Sequence, residues 1–388
     1  MDRRRIWFRN EAFPLSHYFS FISTHIKYLS VDEMLERPIS LYTISPRRKA
    51  AYFVELPDGG DPYDTKKYPF LFHVQKGASK FLYVIPLDDF YRYTDSLNVS
   101  SRRIVWCHYS LRCGSTVWCQ MFNDLPGWSV ISESGYMNYN LLERDPSENF
   151  AAYTNSDEFS KMAVNGFKFN VSRFPKEHSL FVKTQVLDIN MLLHISKHFD
   201  RLTVVHTYRD VLPSAKSWYN TIIESRVPAE ALYLVKKSRF IPMDRLLKDW
   251  LNIFTQAWPA TIKQMPFVEP QNSFEAFTMI WCSANDAIRK AQECGLAIHC
   301  VKYERLMENQ QAMIRKVFEV IDIPEKLIEA ALEALERDSQ ASSPYSHEQQ
   351  KKNSKWNQSI ESVQRCDQIL NLMEFPNLGE DFTLPHTL

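Results

Sequence analysis

From Arg102 onward, short apolar runs alternate with stretches of helical period. RRIVWCH (102–108), WSVIS (128–132), SLFVKT (179–184), RLTVVHTY (201–208) and LAIHCVKY (296–303) read as strands. VWCQMFNDL, DINMLLHISKHF and VLPSAKSWYNTII, between them, read as helices. Strand–helix alternation implies parallel strands joined by right-handed crossovers. The predicted fold is therefore α/β and three-layered, a central parallel sheet flanked by helices. Residues 1–100 are aromatic-rich, with candidate strands at Ala51–Leu56 and Lys80–Ile85 around the turn PDGGDP, and read as an N-terminal α+β extension of unknown role. Residues 101–388 form the main domain, carrying a helical insertion at about 220–294. The last helix of that insertion is predicted to start at Ser273 and stop at Gly295. Pro324 opens a further helix, PEKLIEAALEALER, with Leu327, Ala331 and Leu335 on one face, and a short helix is expected near 361–373.

Composition narrows the function classes. The 388 residues are 45% hydrophobic and 13% aromatic, enough to bury a large core. Lys+Arg and Asp+Glu stand at 46 each, so no global field favours nucleic acid or a membrane surface, and any anion site must be local. Seven cysteines have neither disulfide-framework nor zinc-site spacing, which is the usage of reduced thiols in a cytoplasmic protein with no structural metal. No apolar run is long enough to span a bilayer, and in the basic start MDRRRIWFRNEAF, Arg9 and Glu11 intervene before any apolar run of a leader forms. Asn98, Asn170 and Asn357 head Asn-x-Ser triplets, to which no role is assigned without a leader.

One loop stands out chemically. HYSLRCGSTVWCQ (108–120) leaves a predicted strand and enters a predicted helix with an arginine, a glycine and two hydroxyls at the bend. Such loops present backbone N–H groups at the positive end of a helix, which is an anion site. A triphosphate loop would need Gly-Lys-Ser/Thr, and here Arg112 precedes Gly114 while Ser115 and Thr116 follow it.

That order resembles the 5′-phosphosulfate loop of the sulfotransferases that use 3′-phosphoadenosine 5′-phosphosulfate (PAPS). YRDVLPSAKSWY resembles the same family's 3′-phosphate segment, an arginine at a strand end and a serine eight residues on, here Arg209 and Ser217. VISESGYMN, HCVKYERLMEN and DSQASSPYS are similar to further segments of the family, so the likeness covers roughly residues 101–350. The resemblance implies a P-loop nucleotide-binding type of sheet and PAPS as donor, with a small-molecule or carbohydrate acceptor and no metal. It implies that Arg112, Cys113, Gly114, Ser115, Thr116 and Val117 hold the phosphosulfate and that Arg209 and Ser217 hold the 3′-phosphate. Arg112 stands where many members carry lysine. Gln185, in FVKTQ, stands where many carry the histidine of a Lys-Thr-His segment, so a different proton acceptor is needed. Glu133, after the strand WSVIS, is the first candidate and His108 the second.

Simpler readings stand beside these. The loop at 112–116 could be a tight turn capped by serine, Arg209 a surface arginine paired with Asp210 or Glu224, and Glu133 a helix-start carboxylate. His206 reads as a hydrogen-bonded core histidine, Tyr303 and Glu304 as the close of a strand–helix corner, and Lys351 and Lys352 as solvated lysines. A non-catalytic nucleotide-binding protein of this fold and a P-loop kinase-like enzyme are the alternatives. The acceptor pocket is expected in residues 136–176 and 220–270.

Overall fold

The apolar runs after Arg102 become strands at nearly the predicted limits. The computed structural model describes residues 1–9, 20–139, 155–184, 188–224, 270, 272–337 and 359–388. In chain order the strands are β1 Asp2–Arg9, β2 Phe21–Tyr28, β3 Ile39–Ser45, β4 Ala50–Glu55, β5 Phe81–Pro86, β6 Arg103–Tyr109, β7 Trp128–Ser132, β8 Ser179–Lys183, β9 Arg201–Tyr208 and β10 Ile298–Lys302. The helices are α1 Val31–Leu35, α2 Leu71–Gly77, α3 Leu87–Asp95, α4 Ser115–Asp124, α5 Gly135–Tyr139, α6 Asp157–Ser172, α7 Ile189–Ile195, α8 Val211–Glu224, α9 Ser273–Glu293, α10 Tyr303–Glu308, α11 Gln310–Val320, α12 Ile328–Leu335 and α13 Ile360–Leu372. Gln185, Lys351, Lys352, Asn357, the DSQASSPYS segment and most of the insertion lie outside the described residues.

β6 to β10 build a five-stranded parallel sheet in the order β10-β9-β6-β8-β7. The connection from β6 runs to the β8–β7 side, whereas β9 lies on the other flank of β6 and leads on to β10. The chain thus reverses direction between β6 and β9, and in open parallel sheets ligands bind at the carboxyl ends of strands flanking such a switch point. The loop 110–114 and Arg209 both leave the sheet at that edge.

The chain divides into two compact units, Met1–Trp106 with Phe122–Leu202, and Cys107–Met121 with Thr203–Leu388. The first contains a second, antiparallel sheet in the order β2-β1-β5-β4-β3. Its core packs Phe53 against Phe90 and Phe169, with ring centroids 5.7 and 4.9 Å away. α6 falls where a pocket loop was expected. Ser156 caps it by accepting from the Phe159 N–H at 3.1 Å, and ten of its residues are buried. Gly166 is required there because a Cβ would stand 2.4 Å from Cε2 of the fully buried Tyr136.

In the second unit, α9 starts after an Asn272 cap, one residue ahead of the predicted one, and Gly295 follows it at φ 88°. Pro324 is extended, at φ −59° and ψ 135°, so the helix it was expected to open begins only after a 3-10 turn. The buried face of α12 is accordingly Ile328, Ala331 and Ala334, with Leu327 and Leu335 only half-buried. No helix among the described residues is long and apolar enough to cross a membrane.

Candidate functional site

The loop between β6 and α4 is held in an unusual conformation. Leu111 and Arg112 lie at φ 65° and 50°, and Gly114 at 78°. Two consecutive non-glycine residues in the left-handed region cost energy and persist only where surroundings enforce them. The surroundings here are the end of β9. Ser110 donates its N–H to the Thr207 carbonyl at 3.0 Å, and the Cys113 thiol lies 3.2 Å from both that carbonyl and the Thr207 hydroxyl. α4 then begins at Ser115, with the Val117 N–H on the Gly114 carbonyl at 2.9 Å and the Ser115 and Thr116 side chains buried.

Arg112 reaches across to α8, where its Nε donates to the Ser217 Oγ at 2.9 Å. Two residues 105 positions apart, singled out as holding opposite ends of a nucleotide, are therefore in direct contact. Ser217 sits on the second turn of α8, so its hydroxyl faces back toward the strand end from which Arg209 projects. Arg209 Nη1 is 3.5 Å from the Arg112 carbonyl. Its guanidinium stacks over the Tyr303 ring at 4.6 Å, and its Nε lies 3.6 Å from the Glu304 Oε1. The Trp281 indole N–H holds the Arg209 carbonyl at 2.9 Å. Among the described side chains the ion-pair partner of Arg209 is thus Glu304, and the Glu224 side chain lies outside them. Asp210 is engaged by Lys302 Nζ at 2.9 Å, and Lys302 also bonds Asp381.

Gly114 has a definite structural duty. A Cβ there would come within 2.7 and 2.8 Å of the Tyr303 ring, and its φ is positive. The absent side chain makes room for Tyr303, so any approach of a ligand to the loop comes from another direction. Substituting Gly114 therefore perturbs packing directly and cannot by itself report on phosphate binding. Tyr303 and Glu304, read from the sequence as the close of a strand–helix corner, and Trp281, which no motif marked, also belong to this cluster. Their signal was positional: Tyr303 and Glu304 follow the carboxyl end of β10, the strand beside β9.

Behind the loop, His108 and His206 are fully buried with their Nδ1 atoms 2.9 Å apart. Asn285 Nδ2 donates to the Trp281 carbonyl at 2.8 Å, which turns its Oδ1 toward the His206 Nε2 at 3.2 Å. Burial, followed by the charge of His108, pushes the His206 imidazole well below its ordinary pKa of 6.5, so it is neutral. The His206 Nε2 then donates to the Asn285 Oδ1, and its Nδ1 faces the His108 Nδ1. His206 is a hydrogen-bonded core histidine, and His108 is sealed in the sheet beside it.

In the first unit, Glu133 follows β7 at φ 54° and is buried. Its backbone N–H donates to the Lys183 carbonyl at 2.8 Å, and its own carbonyl accepts from the Phe72 N–H at 3.1 Å. Its carboxylate pairs with the Lys183 ammonium at 2.5 Å, the two side chains being 7% and 2% exposed. Lys183 also lies over the Phe70 ring, 4.9 Å from its centroid. No group of three or more His, Cys, Asp or Glu suited to a metal ion occurs among the described residues. Burial pushes the Cys300 and Cys366 thiols up to about 12, which keeps them protonated.

No family model and no curated protein matches the chain. Solved structures similar to it include sulfotransferases. The sulfotransferase domain from the curacin biosynthetic pathway is 12% identical, covering 71% of this chain and 99% of its own, with a TM-score of 0.38. The sulfotransferase domain of the Synechococcus PCC 7002 olefin synthase is 13% identical, covering 72% and 97%, with a TM-score of 0.37. Sulfotransferase STF9 from Mycobacterium avium is 12% identical, covering 74% and 81%, with a TM-score of 0.40. Likeness at this level carries no weight for donor, acceptor or catalytic residues, which rest on the sequence motifs and the geometry.

Proposed function

We propose that the chain, through residues 101–388, transfers the sulfuryl group of PAPS to a hydroxyl or amine of a small molecule or carbohydrate, leaving 3′,5′-ADP. The observation that carries this reading is the meeting of Arg112, Ser217 and Arg209 at the switch point of the sheet, beside the first turn of α4. The residues present fit a doubly anionic donor. Two guanidiniums converge there, and the Nε of Arg209 is a buried donor without a hydrogen-bond partner.

Bound, the donor would supply an electrophilic sulfur and a nucleotide leaving group. Arg112 would hold one anionic end at the loop, with the amides of Cys113 to Thr116 and the Ser115 and Thr116 hydroxyls; the Val117 N–H, expected to join them, is spent on the Gly114 carbonyl. Because a guanidinium does not give up its proton near neutral pH, Arg112 orients and neutralises where a lysine could also donate. Arg209 and Ser217 would hold the 3′-phosphate, and their shared contact with Arg112 means that the two anionic groups are read by one connected set of side chains. Acceptor attack requires loss of a proton. Glu133 is the proposed proton acceptor, because it follows β7 at the carboxyl edge of the sheet, whereas His108 lies within β6.

The decisive experiment is thermal-shift titration with 3′,5′-ADP, 5′-AMP and ATP with magnesium, since a ligand that binds the native state raises its melting temperature. 3′,5′-ADP should stabilise most, and Arg209→Ala should remove most of its advantage over 5′-AMP, about ten- to a hundredfold in affinity. Equal affinity for 3′,5′-ADP and 5′-AMP in the unmutated protein would overturn the donor assignment. Turnover of labelled PAPS across hydroxyl and amine acceptors then separates an enzyme from a nucleotide-binding protein that lacks activity.

A further inference from the structure

Arg209 has a partner that is badly matched to it. Glu304 Oε1 stands 3.6 Å from the Arg209 Nε, close enough for charge attraction and too far for a good hydrogen bond. The Arg209 Nε and the Glu304 Oε2 are both buried without a hydrogen-bond partner. An arginine–carboxylate pair ordinarily closes with two parallel bonds, and this one closes with none. The mismatch is imposed from outside. Glu304 Oε1 also accepts the Asp210 N–H at 3.3 Å, the Arg209 carbonyl is tied to Trp281, and the guanidinium carbon lies over the Tyr303 ring. Asp210, the other carboxylate nearby, spends its Oδ1 on Lys302 and on the Phe382 N–H.

We infer that Glu304 is an internal counter-anion: it occupies Arg209 in the ligand-free protein, and an incoming phosphate or sulfate group displaces it and completes the hydrogen bonds that it leaves unmade. The specificity consequence follows from charge. A ligand must bring enough negative charge and oxygen acceptors to Arg209 to outcompete a carboxylate already in place, which favours phosphate monoesters and sulfate over neutral or weakly anionic ligands. The role is tied to the anion site itself, and its link to PAPS rests on the donor reading above.

Protonation bears on the same competition. Burial, with the Asp210 charge against it, raises Glu304 above the ordinary carboxylate value of 4.5, while Arg209 works in the opposite direction. The charged groups facing Glu304 are Arg209 and Asp210 at the end of β9. Lys302 at the end of β10 is turned to Asp210 and Asp381. Lowering the pH therefore neutralises the counter-anion and leaves Arg209 charged, so sulfate binding should strengthen as pH falls toward the Glu304 titration.

The test compares the unmutated chain, Glu304→Gln and Glu304→Asp by calorimetric titration with sodium sulfate and with 3′,5′-ADP at constant ionic strength. Glu304→Gln keeps an acceptor for the Asp210 N–H and removes the charge, and Glu304→Asp withdraws the carboxylate from Arg209. Both should bind both ligands about three- to tenfold more tightly, and in Glu304→Gln the pH dependence of sulfate affinity should flatten. A purely structural glutamate predicts equal or weaker binding in the variants, and that result overturns the inference while leaving the donor reading intact. Tighter sulfate binding with no response to 3′,5′-ADP in any form upholds the counter-anion and overturns the donor reading. If no form binds sulfate or 3′,5′-ADP, both are overturned.

Discussion

The Glu133–Lys183 pair makes a prediction that separates chemistry from architecture. Both side chains are almost wholly buried and their charged atoms lie 2.5 Å apart. Removing one partner from a buried pair takes away the opposite charge that stabilises the other, at a cost of about 3–5 kcal/mol. Glu133→Gln and Lys183→Met should each pay that penalty, which for a unit of this size corresponds to a melting-temperature loss of about 6–20 °C. The double variant removes both charges and leaves one poorly satisfied amide, costing about 1–3 kcal/mol. It should therefore be more stable than either single variant, a strong departure from additivity. The assay is thermal unfolding of all four proteins, with hydrogen exchange followed at residues 128–133 and 179–184 so that loss is assigned to β7 and β8. Turnover on the same proteins decides what Glu133 does. A proton acceptor lost in Glu133→Gln lowers turnover by about 10²–10⁴ and stays lost in the double variant. A structural carboxylate predicts turnover that recovers with stability. Single variants within about 1 kcal/mol of the unmutated protein, or strictly additive effects, would refute the reasoning from burial.

Three further outcomes follow. Gly166→Ala should destabilise the first unit by about 1–3 kcal/mol in denaturant unfolding, because the 2.4 Å clash with Tyr136 outweighs the roughly 1 kcal/mol of helix propensity that alanine brings. His206 is held neutral below its ordinary 6.5, so the unfolded chain takes up a proton that the native one refuses; stability is full above about pH 6.5 and falls as pH drops below it, and His206→Gln should flatten that slope in melts between pH 7 and 5. Lys302 is raised because its hydrogen bonds to Asp381 and Asp210 outweigh the burial that opposes them, and Lys302→Met should cost about 1–3 kcal/mol and speed hydrogen exchange at 381–388, where the chain end lies along β10 through Cys300.

What could be read from the sequence, and what could not, divides along a physical line. WSVIS and RLTVVHTY form strands at the predicted residues because a strand buried on both faces needs an unbroken apolar run, and such a run has visible ends. β1 escaped notice because its sequence, DRRRIWFR, buries only Ile6, and four arginines mask the strand pattern. α6 escaped for the opposite reason. Asn165, Gly166 and Asn170 are poor helix formers, but Asn165 accepts from the Thr94 hydroxyl at 2.7 Å and Asn170 from the Tyr63 hydroxyl at 2.9 Å, so tertiary bonds override propensity. At the site, spacing showed which strand end carried each group. Arg112 had to leave β6, and Arg209 and Ser217 had to straddle the start of α8. Spacing along one segment carries no information about a partner 105 residues away, so the Arg112–Ser217 bond appears only when β9 takes its place beside β6. The Glu304 contact depends in turn on β10 lying beside β9. A motif thus names the groups that can meet an anion, whereas strand order decides which of them already hold one another, and it is the second kind of fact that sets how strongly an anion must compete to enter.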